Sequence, residues 1–130
     1  MRALVIDDSR AMRRIVSRIL IDAGYEVVEA GDGQEALDKL HGMPLPELAC
    51  IDWNMPVMDG LQFVVNVRAN PAWRSMTLMM VTTEGEQNRI VRALAAGAHE
   101  YLIKPFTADA MRDKLDLLGL LPYVPQEVQA

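Results

Sequence analysis

Strand-like and helix-like stretches alternate five times along this chain, and that alternation restricts its fold more than any other feature. Ala3–Ile6, Glu26–Ala30, Leu48–Ile51, Thr77–Val81 and Glu100–Ile103 are short runs of strand length, each bounded by turn signals. Short apolar runs closed in this way read as buried strands. No hairpin-type turn joins one run to the next; a helical pattern lies between each pair. Such spacing predicts right-handed βαβ crossovers and a parallel sheet with helices on both faces. The expected fold is therefore α/β, doubly wound and five-stranded, in one domain over residues 1–120 with a proline-bearing tail at 121–130.

The helices follow from periodicity and from their ends. Met12, Ile15, Val16, Ile19, Leu20 and Ala23 repeat as an amphipathic stripe opened after Ser9 and stopped at Gly24. Arg10, Arg13, Arg14 and Arg18 take its wetter side. Asp32 with Glu35 three residues later is a capping-box pattern, followed by inward Ala36, Leu37 and Leu40. Leu61, Val64, Val65 and Arg68 mark a third helix ended by Asn70-Pro71. Ile90, Val91, Leu94 and Ala95 mark a fourth, with Gly97 just past its end. Thr107 caps the last, which turns Met111, Leu115 and Leu118 inward.

Sorted by strand, the polar residues carry the chemistry. The first strand ends in Asp7-Asp8, the third in Asp52, the fourth in Thr82-Thr83 and the fifth in Lys104. In a parallel sheet these carboxyl ends share one edge, where open α/β folds place their ligand crevices. Taken singly, Asp7-Asp8 and the threonines could be helix caps, and Lys104-Pro105 a turn. Asp52 resists that explanation, because the run before it is apolar and an unpaired buried charge is expensive. Converging, they make a pocket of carboxylates, a hydroxyl and an ammonium.

Clustered carboxylates repel one another unless something positive stands among them. Lys104 offers one charge, and a hard divalent cation offers two. The small number of protein ligands suits Mg²⁺, which keeps several waters, better than a fully caged Ca²⁺. A carboxylate facing Mg²⁺ and a lysine is suited to accept a phosphoryl group, because that transfer depends on positioning and on neutralising charge. On this reading Asp52 attacks in line, Asp8 and Asp52 hold the metal, Lys104 meets another phosphoryl oxygen, and Thr82 donates a hydrogen bond.

Composition removes other classes. Thirteen basic against eighteen acidic residues leave a formal charge of −5, which disfavours a bulk-charge grip on nucleic acid. No apolar run approaches the roughly 20 residues that span a bilayer, and Met1-Arg2 leads straight into the first strand rather than into a signal peptide. These features predict a cytoplasmic protein with no membrane insertion. Cys50 is the single cysteine, so no intrachain disulfide is possible, and it reads as a small buried hydrophobe. His41 and His99 lie on different elements and offer no zinc site.

Across residues 2–120 the chain resembles the receiver domain of response regulators, in its stand-alone chemotaxis (CheY) form. The resemblance runs through Asp7-Asp8, Met12-Arg13-Arg14-Ile15, Asp52-Trp53-Asn54-Met55-Pro56, Met58-Asp59-Gly60-Leu61, Thr82 and Lys104-Pro105-Phe106-Thr107. It implies strand order 2-1-3-4-5 and a phosphorylation-dependent switch of a two-component system, with a sensor histidine kinase as donor and a downstream protein as target. It implies Asp52 as phosphoacceptor and Asp8 as a direct Mg²⁺ ligand. Asp7 would bind the ion through water, and the Asn54 backbone carbonyl would complete the protein ligands. It also implies a cis Lys104–Pro105 bond.

The resemblance further implies that Thr82 moves toward the phosphoryl group and lets Tyr101 turn inward. That movement would remodel the face formed by the fourth helix, fifth strand and fifth helix. Asn54, Thr83 and Glu84 occupy positions that influence how long the phosphoryl group survives, and Thr83 is bulkier than the usual residue there. Glu86-Gln87 stands where motor-binding members carry basic residues, so a phosphorelay intermediate or a non-motor adaptor is the alternative to a flagellar role. Trp53 either contacts a partner or fills the loop. A dehalogenase-type phosphatase would need a general acid where Asn54 stands, and asparagine cannot deliver a proton. A flavodoxin-like electron carrier shares the topology, but Asp7-Asp8 would repel its phosphate.

Overall fold

Apolar strands flanked by amphipathic helices have one economical arrangement, and the chain adopts it. The computed structural model describes residues 1–83 and 87–122. In chain order it forms β1 (Arg2–Ile6), α1 (Arg10–Asp22), β2 (Glu26–Ala30), α2 (Gly33–His41) and β3 (Leu48–Ile51). There follow α3 (Gly60–Ala69), a 3-10 turn at Pro71–Trp73, β4 (Thr77–Thr82), α4 (Gln87–Ala96), β5 (Glu100–Ile103) and α5 (Ala108–Leu117). The five strands are ordered β2-β1-β3-β4-β5, and every pair is parallel.

Successive side chains on a strand point to opposite faces, so each central strand feeds two cores. Leu4, Ile6, Ala49, Ile51, Leu78 and Met80 enter one core with Leu37 of α2, Phe63, Val64 and Val67 of α3, and Ala93 of α4. Ala3, Val5, Leu48, Cys50, Met79 and Val81 enter the other with Val16 and Leu20 of α1 and Met111 and Leu115 of α5. Burial on both faces is why these strands read as continuous apolar runs instead of alternating ones. Cys50 is fully inside, and burial pushes its thiol up to about 12.

Helix ends follow their capping chemistry. Ser9, Asp59 and Thr107 each accept a backbone N–H of the first turn from the N-cap position. Asp32 does the same for α2, but the expected box there is displaced by one residue. The Glu35 carboxylate accepts the N–H of Gly31, not that of Asp32, at 3.0 Å. A complete box forms at α3, where Asp59 and Gln62 exchange both bonds. Gly24 and Gly97 end α1 and α4 with φ of 106° and 120°, a region that side chains disfavour.

Three helices bury a different edge from the one their apolar stripe predicts. In α1, Ile15 is 51% exposed while Ser17 is buried in its place. In α3 the buried positions are Gly60, Phe63, Val64 and Val67, and Val65 faces out at 53% exposure. In α4 only Ala93 is buried, whereas Val91 and Leu94 are exposed. Leu118 caps α5 half-buried. A stripe gives a helix's phase to within one residue, and the neighbour against which it packs decides which edge is covered. Among the described residues no helix is long and apolar enough to cross a membrane.

Candidate functional site

The hydrogen-bond ladder runs one residue past the strands and thereby sets the site. Asp7 N–H donates to Ala30 O at 3.1 Å, Asp52 N–H to Ile6 O at 2.9 Å, and Lys104 N–H to Thr82 O at 2.9 Å. Strand register therefore brings Asp7, Asp52, Thr82 and Lys104 to one edge of the sheet. Asp8 follows on the loop to α1, exposed, while Asp7, Asp52 and Thr82 are buried. One carboxylate oxygen from each of Asp7, Asp8 and Asp52 lies within 4.8 Å of the others.

Lys104 Nζ meets Asp7 Oδ2 at 2.7 Å and stands 3.7 Å from Asp52 Oδ1. Asp7 Oδ1 accepts the N–H of Ser9 at 2.9 Å, which ties the acid to the start of α1. Asp52 Oδ1 accepts the N–H of Trp53, also at 2.9 Å. Burial raises the Asp52 carboxyl above its ordinary range. Lys104 and the Trp53 N–H pull it down, and Asp7 and Asp8 push it up. Three carboxylates against one ammonium leave two negative charges when all are ionised. A hard dication answers that imbalance with oxygen donors alone. The donor set fits Mg²⁺, whose remaining positions water can fill.

The loop after β3 is held tightly beneath the site. Gly60 N–H donates to Trp53 O at 2.8 Å, and a Cβ on Gly60 would lie 2.2 Å from Asp52 O, so only glycine fits. Met58 N–H donates to Pro56 O at 2.7 Å across Val57, whose φ is 67°. That is a tight γ-type turn carrying a β-branched residue. Trp53 is 6% exposed and packs in the core with Ile51 and Val64, so it fills the loop. The Lys104–Pro105 bond is cis.

Of the other residues singled out from sequence, Tyr101 lies half-buried on β5 beside Met80. Lys114 Nζ sits 5.0 Å from its ring centroid and pairs with Glu100 at 3.0 Å. A narrow crevice between Trp53 and Tyr101 is lined by Met80, Thr82, Ile90 and Ala93. Thr83 is exposed and borders a shallow apolar recess with Lys104, Met12 and Phe106. Asn54 is exposed, and Arg89 Nη1 reaches its Oδ1 at 3.4 Å. Glu84 and Glu86 lie outside the described residues, as does the tail from 123 onward.

Two arginines depart from what the sequence predicts, Arg13 from its expected place on the wetter side of α1 and Arg89 by having no sequence signal at all. Arg13 is half-buried, donating from Nη1 to Asp7 O at 2.8 Å and from Nε to Glu29 at 3.1 Å, so it braces the site instead of facing water. Arg89, on α4, meets the loop after β3. Its separation of 35 residues from Asn54 leaves no local signal.

The response regulator receiver domain matches this chain over residues 3–116. The chain belongs to that family. Among curated relatives, the receiver is 42% identical over 119 residues to chemotaxis protein CheY1 of Helicobacter pylori (strain J99), covering 91% of this chain and 96% of that one. It is 44% identical over 121 residues to the chemotaxis protein CheY homolog of Campylobacter jejuni, covering 92% and 93%. Among solved structures, chemotaxis protein CheY4 of Vibrio cholerae superposes with a TM-score of 0.83 at 38% identity, over 89% of this chain and 96% of that one. The receiver is thus a signalling domain related to chemotaxis regulators and not a metabolic enzyme. Receivers bind Mg²⁺ at an acidic cluster of the kind formed here by Asp7, Asp8 and Asp52.

Proposed function

We propose that Asp52 accepts a phosphoryl group from a sensor histidine kinase, and that the modified receiver binds a downstream protein in the cytoplasm. The observation that carries this reading is one buried carboxylate with an ammonium 3.7 Å away and two further carboxylates within reach. Because Oδ1 is engaged by the Trp53 N–H, Oδ2 is the attacking oxygen. A bond forms between Oδ2 and phosphorus as the bond from phosphorus to the donor's nitrogen breaks, and the nitrogen leaves with that electron pair. Lys104 exchanges its contact with Asp7 for a phosphoryl oxygen, and Thr82 donates to another. Asp8, Asp52 and the Asn54 backbone carbonyl would hold Mg²⁺, and Asp7 would act through water. When bound, the ion neutralises charge on the transferring group.

Output follows from the same groups. Thr82 draws toward the phosphoryl group and vacates space for Tyr101, whose inward turn reshapes the face of α4, β5 and α5. Asn54, Thr83 and Glu84 set the lifetime of the modification. Residues 1–120 form the receiver unit and 121–130 its tail.

Incubation with Mg²⁺ and acetyl phosphate, followed by intact mass measurement, tests the acceptor. One labile phosphoryl adduct is expected on the parent and none on Asp52→Asn. A parent that gains no adduct, or a variant that gains the same one, refutes the assignment.

A further inference from the structure

The loop that carries Asp52 is held from above by α4. The guanidinium of Arg89 lies 5.2 Å from the Trp53 ring centroid, and that of Arg92 lies 5.8 Å away. The indole beneath them is buried, and its backbone is held at both ends, by the Asp52 carboxylate and by the Gly60 N–H. Cation–π attraction over a buried indole is strong enough to hold a long side chain in one place. From that seat Arg89 reaches on to Asn54 Oδ1 at 3.4 Å. Arginine is only a donor, so the Asn54 atom that faces it must be the oxygen. The amide nitrogen is thereby turned to the side away from Arg89.

We propose that Arg89 is a positioning residue for loss of the phosphoryl group. Seated on Trp53, it orients the Asn54 amide so that its N–H groups direct the hydrolytic water. This inference rests on the proposed function, both on Asp52 as the acceptor and on Asn54 as a residue that sets the lifetime of the modification. In the step concerned, a water oxygen bonds to phosphorus while the bond from phosphorus to the Asp52 oxygen breaks. The carboxylate is restored, and inorganic phosphate and one proton are released. In this step Arg89 acts through Asn54.

A double-mutant cycle on the phosphoryl lifetime tests this. The parent, Arg89→Ala, Asn54→Ala and the double variant are loaded with acetyl phosphate and Mg²⁺. The donor is then removed by desalting, and first-order decay of the adduct is followed by intact mass. Arg89→Ala is expected to slow decay by about threefold to tenfold, the effect of losing one oriented hydrogen bond. The double variant should decay no more slowly than Asn54→Ala. Arg89→Lys should recover part of the rate, since an ammonium also donates. Arg92→Ala removes a cation from the same indole without touching Asn54, and should decay like the parent. Parental decay in Arg89→Ala overturns the proposal, and so do effects that multiply in the double variant. A parent that never gains an adduct overturns the acceptor assignment and this inference with it, whereas the first two results leave that assignment standing.

Discussion

Replacing Gly60 by alanine should damage the site through the backbone of its central acid. The added Cβ would stand 2.2 Å from Asp52 O, 3.0 Å from Asp52 C and 3.0 Å from Met80 Cε. An ordinary carbon–oxygen contact is roughly 3.3 Å, so the oxygen contact falls about 1 Å short. Met80 Cε ends a flexible side chain and yields cheaply. The Asp52 carbonyl does not, because Asp52 N–H is in the ladder to Ile6 O at 2.9 Å and Gly60 N–H is bonded to Trp53 O at 2.8 Å. Gly60 is absent from the glycines with positive φ, so the penalty is steric. Overpacking relieved by backbone shifts costs about 1–3 kcal/mol, and a clash between two backbones belongs near 3. Urea denaturation followed by circular dichroism should register that loss at unchanged m. Calorimetry should show a fall in Tm of roughly 10 °C. Gly42→Ala is the control: its Cβ would meet nothing nearer than Lys39 O at 3.9 Å. It should stabilise by about 0.4–1 kcal/mol, by restricting the unfolded chain. A Gly60→Ala variant within about 0.5 kcal/mol of the parent, which is the scatter of harmless surface changes, would refute the reasoning.

Val57→Asn should stabilise by about 1 kcal/mol in the same denaturation assay, since asparagine tolerates φ of 67° and the lost valine is 81% exposed; an unchanged or lowered midpoint contradicts this. Lys104→Ala leaves Asp7 and Asp52 facing each other without their ammonium and should cost about 3 kcal/mol. Added Mg²⁺ should then raise Tm more in this variant than in the parent, and an equal rise would show that Lys104 does not offset the acids. In Mg²⁺-free buffer the raised Asp52 carboxyl binds more protons folded than unfolded, so its contribution to stability falls as pH rises from the ordinary carboxylate range through the folded value. Asp52→Asn should remove that segment of the pH profile and be the more stable protein at neutral pH; a parallel profile would refute the direction of the shift.

The strand and helix elements were legible because each leaves a local mark. A strand buried on both faces is an unbroken apolar run, and a helix shows its cap and its stop within a few residues. Glu26–Ala30 and Glu100–Ile103 have the bounds their sequence predicts, and Asp32 and Thr107 cap the helices they are expected to cap, whereas α1 is capped by Ser9 and not by Asp7-Asp8. The phase of α1, α3 and α4 was less legible, because a helix's own pattern does not say which neighbour covers it. Ile15, Val65 and Val91 are apolar and exposed all the same.

A parallel sheet gathers its strand ends at one edge, so the residue that ends or follows each strand is enough to bring Asp7, Asp52, Thr82 and Lys104 together. Local order along the chain carries that much, since it depends only on strand polarity. Which ion pair closes, and which side chain leans on which, depends on distances between residues far apart in sequence. Lys104 resting on Asp7, Arg13 bracing the Asp7 carbonyl and Arg89 reaching Asn54 across the indole were decided by packing alone. A long charged side chain has many rotamers and no periodic signature, and it takes up a partner only once the folded surface presents one.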